Sequence, residues 1–143
     1  MTAGRLARWW GLPASERWLA LCALVQLALV RAALPALGYL RLRRWMEALS
    51  PVANPGPATG EEFLHADRLA NLVAAVGGEG ITAASCLPQS LLVYLLLRRR
   101  GLSPALQLGV REGGDFVEAH AWVELDGREL GPGARQHLAM RPP

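Results

Sequence analysis

The sequence predicts an α+β fold, a helical lobe followed by one further long helix and a small antiparallel sheet. Three observations predict it. Apolar residues recur at helical spacing as far as Arg100, the period changes to two from Ala105 onward, and Asp126-Gly127 is a strong two-residue hairpin turn between alternating segments. At 143 residues and 52% hydrophobic composition the chain is of single-domain size and can build a core. Residues 1–50 are expected to form the helical N-terminal lobe, 51–60 a linker, and 61–143 the unit that carries the chemistry.

The first helical stretch runs over 15–49, with Ser15 able to cap it and a wide apolar stripe of Leu19, Leu21, Leu24, Leu27, Leu29 and Val30. Pro35 should break or kink it. A second helix would then carry Tyr39, Leu40, Leu42, Trp45, Met46 and Leu49 and end at Ser50-Pro51. The stretch from Pro51 to Gly60 holds three prolines and two glycines and reads as a loop. Glu61 to Val76 is helix-like, with Phe63, Leu64, Leu69, Leu72, Val73 and Val76 on a broad face, and Thr59 three residues before Glu62 has the spacing of a capping box. Gly77-Gly78-Glu79-Gly80 ends it. Leu87 to Arg100 is a leucine-rich helix closed by three arginines, which suit the negative end of its dipole, with Gly101 as C-cap.

Beyond that point Ala105–Val110 and Glu118–Leu125 alternate as strands, Gly113-Gly114-Asp115 joins them, and Arg128-Glu129-Leu130 pairs back after the turn. The tail after Gly131 reads as irregular.

Charge excludes little. Fifteen basic against twelve acidic residues leave +3, all the basic residues are arginines, and two tight clusters stand at Arg41, Arg43, Arg44 and at Arg98, Arg99, Arg100. No aromatics interleave with these clusters, so solvated helix ends are a better reading than nucleic-acid binding. Cys22 and Cys86 stand in unlike contexts and no CxxC or Cys/His ligand spacing occurs, so neither a disulfide framework nor a metal site is expected. Two cysteines without a staple point to a reducing cytoplasm. Trp18 to Leu40 approaches membrane-spanning length, but Gln26 and Arg31 interrupt it, and Trp9, Trp10 and Glu16 make a poor leader region for export.

The chemistry is expected at Cys86 and His120. With Leu87 opening a helix and Pro88 in its first turn, Cys86 sits at the positive end of a helix dipole, where the nucleophilic thiolate is favoured and backbone N–H groups can receive an oxyanion. Most free cysteines are nonetheless small buried core residues. Alternation places Glu118, His120, Trp122 and Glu124 on one face of a strand and Ala119, Ala121, Val123 and Leu125 on the other. A histidine there can take the thiol proton and later protonate a leaving amine, although an edge-strand histidine in solvent fits the same periodicity. His65, on a helix, and His137, in the tail, read as surface residues.

Cys86-Leu87-Pro88-Gln89-Ser90, then Arg98-Arg99-Arg100-Gly101, then Leu108-Gly109-Val110-Arg111, then the run from Glu118 to Gly127 resemble the leader peptidases of lasso-peptide biosynthesis. These belong to the transglutaminase-like branch of cysteine peptidases, related to the microcin-processing enzymes. The likeness is close over roughly residues 60 to 131, where order and spacing agree as well as residue type. It implies a papain/transglutaminase-like helix and sheet, with Cys86 as nucleophile and His120 as base in acyl-enzyme cleavage between leader and core peptide. It implies as partners the precursor leader peptide, a small leader-recognition protein and an ATP-dependent macrolactam cyclase. No cofactor is implied, and with no Walker-type loop in this chain any nucleotide requirement falls to the cyclase.

One position departs from the family pattern. The family carries an acid on the strand returning from the hairpin, and here the positions facing His120 fall near Pro132 and Gly133. Asp126 is about 20 Å along the strand from His120, and Glu118 and Glu124 share its face at about 7 Å or more. A backbone carbonyl or an acid from elsewhere, such as Asp67, would have to orient the imidazole. Two other readings stay open: a membrane-associated or scaffold protein anchored by Trp9, Trp10, Trp18 and Trp45, and an acyl-transferase or amidase on the same fold.

Overall fold

The computed structural model of the chain describes residues 13–52, 56–78, 83–113 and 116–132. Among these residues four helices, α1 (Ala14–Leu37), α2 (Tyr39–Leu49), α3 (Gly60–Gly77) and α4 (Ala83–Arg99), precede three strands, β1 (Ala105–Gly113), β2 (Phe116–Leu125) and β3 (Arg128–Glu129). The strands form one antiparallel meander in the order β1-β2-β3. This is the α+β architecture that the change of period predicts. Gly114-Asp115, Gly133, His137, Trp9 and Trp10 lie outside the described residues.

Helix α4 is the centre of the core. Its Leu91, Leu92 and Leu97 are fully buried, and Leu27 of α1, Val73 of α3 and Val123 and Leu125 of β2 close around them. Fully burying a leucine contributes about 1.5–3 kcal/mol, so the leucine run of α4 is a major apolar contribution to the fold. Its end is the expected one. Gly101, at φ 81°, lets the N–H groups of Gly101 and Leu102 return to the carbonyls of Arg98 and Leu97, and Leu102 folds back into the core. The capping box of α3 is also present: Thr59 Oγ1 accepts from the Glu62 N–H at 3.3 Å and Glu62 Oε2 from the Thr59 N–H at 2.7 Å.

Helix α1 departs from the expected stripe. It buries Ala20, Ala23, Leu27 and Val30, spaced three, four and three residues apart, and turns Leu19, Leu21, Leu24 and Leu29 to the surface. A helix that is apolar on every side has no unique inward face by periodicity, and the two alanines win because they let it approach closely. Pro35 does not break it. The helix runs on to Leu37 and stops at Gly38, whose φ of 76° no helix can continue.

The two arginine clusters are not uniformly solvated. Arg43 Nε donates to Glu47 Oε1 at 2.9 Å, Tyr94 Oη donates to the same oxygen at 2.9 Å, and the Arg43 and Arg98 guanidinium groups lie over the Tyr94 ring at 5.9 and 5.5 Å. Arg98 Nε reaches Ser50 Oγ at 3.3 Å, and that hydroxyl also donates to the Met46 carbonyl. Buried Tyr94 and Ser50 thus fasten α2 to α4, while Arg41, Arg44, Arg99 and Arg100 remain exposed. Burial pushes the Glu47 carboxyl up, but its hydrogen bonds from Arg43 and Tyr94 outweigh that and hold it below its usual range.

Glu47→Ala leaves the buried Tyr94 hydroxyl without its acceptor and is expected to cost about 1–3 kcal/mol in urea unfolding at pH 7. The difference should shrink as pH falls through the depressed Glu47 value, because a protonated Glu47 no longer contributes. An unchanged midpoint at pH 7 would remove this network from the account of stability.

Candidate active site

The hairpin between β2 and β3 sets the geometry of the site. Asp126 and Gly127 have φ of 51° and 74°, the two left-handed residues of a type I′ turn. The turn is pinned from outside: the Ala58 N–H donates to Asp126 Oδ2 at 2.7 Å, and the Arg128 guanidinium lies 3.4 Å over the Phe63 ring.

From the turn the ladder pairs Leu125 with Arg128 and Glu124 with Glu129, and the Leu130 N–H donates to the Val123 carbonyl at 2.9 Å. The next antiparallel bond would run from residue 132 to the Ala121 carbonyl. Residue 132 is proline and has no N–H to give. The chain turns away at Gly131, φ 91°, whose N–H donates to Asp67 Oδ1 at 2.9 Å. Strand β3 therefore ends after two residues, and among the described residues no strand pairs with the edge of β2 beyond Val123.

Helix α4 takes over that edge. Ser90 Oγ donates to the Ala121 carbonyl at 2.9 Å, and Cys86 Sγ stands 3.9 Å from the Ala119 carbonyl. Four helical residues rise about 6 Å and two strand residues about 6.7 Å, so side chains one turn apart meet alternate carbonyls. Buried Ser90 locks the register, and Cys86 falls at the residue before His120, where the contact is open to solvent.

Two expectations change in detail. Cys86 lies within the first turn of α4 rather than before the helix, which begins three residues earlier at Ala83, and Pro88 accordingly falls in the second turn. The dipole argument survives this shift because its effect extends over the first turn. Asp67, a candidate for orienting the histidine, accepts hydrogen bonds from the Gly131 N–H and, at 3.1 Å, from Asn71 Nδ2.

On β2 the alternation holds: Ala121, Val123 and Leu125 are buried against α4, and His120, Trp122 and Glu124 occupy the other face, half-buried. The Nδ1 atom of His120 is shielded from solvent. Its ring stacks on that of Trp122, centroids 5.6 Å apart at 18°. The other titratable candidates lie elsewhere. His65 is exposed on α3 with Nδ1 3.0 Å from the Glu61 carbonyl, and Cys22 is a half-buried free thiol on α1. The alternation puts Trp122 on the face of His120 and the motif at Cys86 includes Ser90, but neither fixes a contact; each is displaced from its neighbour by one structural period, two on a strand and four on a helix.

A family model described as the transglutaminase-like superfamily matches residues 23–142. This chain belongs to the transglutaminase-like superfamily. No curated protein and no solved structure matches the chain. Transglutaminase-like proteins are generally cysteine-type enzymes, peptidases or transglutaminases. Within the matched span there is a single cysteine, Cys86, because Cys22 falls one residue before it.

Glu124 and Glu129 face each other directly across a non-hydrogen-bonded pair, the closer kind. Burial first, and the Glu124 charge second, push the Glu129 carboxyl from its ordinary 4.5 to about 7. The fold thus prefers neutral Glu129, and the stability this gives is intact below pH 4.5 and lost as the pH rises through about 7. Glu129→Gln is expected to leave Tm unchanged near pH 4 and to raise stability by about 1 kcal/mol at pH 8, water partly screening a half-buried carboxylate. Equal Tm differences at both pH values would contradict this.

Proposed function

We propose that the protein is a cysteine peptidase that removes the leader peptide from a lasso-peptide precursor, with Cys86 as nucleophile and His120 as general base. The observation that supports the reading is that Sγ of Cys86, the one cysteine of the superfamily span, stands 3.9 Å from the carbonyl of Ala119, the residue before His120 on β2. The run from Glu118 to Gly127, which resembles the lasso leader peptidases, supports the choice of substrate.

In this reading His120 takes the proton of the Cys86 thiol and the thiolate attacks the carbonyl carbon at the leader–core junction. The C–S bond forms as the C–N bond breaks, and the imidazolium returns its proton to the leaving core amine. Water, deprotonated by His120, then hydrolyses the thioester and releases the leader carboxylate. N–H groups of the first turn of α4 would receive the oxyanion. No cofactor enters these steps. The leader arrives on a small recognition protein, and a separate ATP-dependent cyclase closes the macrolactam on the freed amine, all in the cytoplasm. An amine in place of water would give an acyl-transferase from the same thioester, and hydrolysis of an amide other than the leader–core bond would give an amidase.

Purified protein with precursor and recognition protein should release leader and core masses. Cys86→Ala should abolish release, and His120→Ala should lower the rate at least about 100-fold. Undiminished cleavage by Cys86→Ala would overturn the mechanism.

A second reading, a membrane-associated or scaffold protein without catalysis, is favoured by one observation. Helix α1 spans 24 residues with a mean hydropathy of 1.9 over its most apolar window, and Trp18, Val25 and Leu29 are 68%, 61% and 64% exposed. Sedimentation with membranes, together with equally slow iodoacetamide labelling of Cys22 and Cys86, would favour it over the peptidase.

A further inference from the structure

We infer that Trp122 is the positioning residue for the His120 imidazole, and that Glu124, Gln107 and Gly109 hold the indole in the plane that makes this stack. The inference rests on the reading of His120 as the base and adds what sets the orientation of its ring.

The geometry is built from both strands. His120 and Trp122 are two residues apart on β2 and so project from the same face. Their rings are nearly parallel, 18° apart, with centroids 5.6 Å apart, an offset stack rather than an edge contact. A stack restrains an imidazole only if the partner ring is itself fixed, and Trp122 is fixed at both ends. At its polar end, Nε1–H donates to Glu124 Oε1 at 3.0 Å, while the other oxygen of that carboxylate accepts from Gln107 Nε2 at 3.4 Å. Gln107 is the cross-strand partner of Trp122, so the carboxylate is tied to β1 as well as to β2.

The apolar end of the indole lies over Gly109, the cross-strand partner of His120. A Cβ built at Gly109 would meet Trp122 Cη2 at 2.9 Å and Cζ3 at 3.0 Å. Neither a flexible side chain nor open space is there to yield. The atoms belong to a rigid ring whose other end is hydrogen-bonded. Glycine at 109 is thus explained by the ring that covers it, since strand interiors ordinarily disfavour glycine and a close approach is one of the reasons it occurs. The indole fills the place of the missing side chain directly opposite His120, which sets the plane against which the imidazole packs.

The chemistry needs such a restraint. The base must point one nitrogen at the thiol and later at the leaving amine, and a misplacement of about 1 Å can cost about 100-fold in rate. Tryptophan offers a broad flat face that blocks rotation about the His120 side-chain torsions, and aromatic stacks are worth about 0.5–1.5 kcal/mol beyond the area they bury.

Four variants of the full-length protein, assayed with precursor and recognition protein, test this, with Cys86→Ala as the control for the underlying reading. Trp122→Leu should lower kcat about 100-fold while KM stays within about twofold, as expected when only the reacting group is misaligned. Glu124→Gln keeps an acceptor for the indole N–H and should retain activity within about threefold, whereas Glu124→Leu should lose about tenfold. Gly109→Ala should fall with Trp122→Leu. The readout that a merely structural role would not move is the NMR position of the His120 ring protons, shifted upfield by the indole face in the parent and in Glu124→Gln and relaxed in Trp122→Leu, in samples whose circular dichroism shows them folded. Folded Trp122→Leu with parental kcat, or with unmoved His120 ring protons, would overturn the positioning role. If Cys86→Ala cleaves like the parent, the reading of His120 as base fails instead, while the ring shifts still report whether the stack exists.

Discussion

A missing N–H governs the end of this molecule that carries Cys86 and His120. Because residue 132 is proline, the hairpin ladder cannot supply a donor to the Ala121 carbonyl, and β3 ends after Glu129. A buried carbonyl left unpaired costs about as much as a lost hydrogen bond, so something else must donate. The Ser90 hydroxyl does so, and by doing so fixes the height of α4 against β2. Once that height is fixed, helical and strand spacing together carry Cys86 to the carbonyl two residues back, beside His120. The position of the thiol thus follows from a vacancy in a hydrogen-bond ladder, which the Ser90 hydroxyl fills one helical turn away from the Cys86 contact with the Ala119 carbonyl.

The remaining interactions hold that arrangement at its borders. Asp67 takes the Gly131 N–H as the chain leaves the ladder, Ala58 clamps the hairpin turn through Asp126, and Arg128 lies over Phe63, so the N-terminal half of α3 and the segment before it grip the hairpin at three points. On the far side of α4, buried Tyr94 and Ser50, with the half-exposed Glu47, Arg43 and Arg98, fix its second half against α2. The helix is held at both ends while its leucines supply the apolar interior.

What could be read in advance depended on whether the cause was local. The Asp126-Gly127 turn, the Thr59/Glu62 box, the Gly101 stop and the alternation along β2 are contained within a few residues, and each stands as the residues imply. The inward face of α1 was not legible, because a helix apolar on all sides encodes its length but not its rotation. Nor was the fate of Arg43 and Arg98, which depends on Tyr94 and Glu47 lying 47 residues apart in the chain. Cys86 and His120 stood out as residue types in a suggestive order. That Ser90 and Trp122 support them required knowing which carbonyl and which ring they meet.

Helix α1 inverts the usual relation between side-chain size and constraint. Its bulky residues look outward, while Ala20 and Ala23 lie against the interior at 1% and 4% exposure. A methyl group is the most those two sites accept without lifting the helix from the core, since a close-packed interior has no slack to absorb added volume. The positions that look most expendable on inspection of the sequence are therefore the ones on which drift is most restricted. The large outward residues can exchange among themselves at little cost to the fold, so the lineage is free to alter the outer surface of this helix while its inner seam stays fixed.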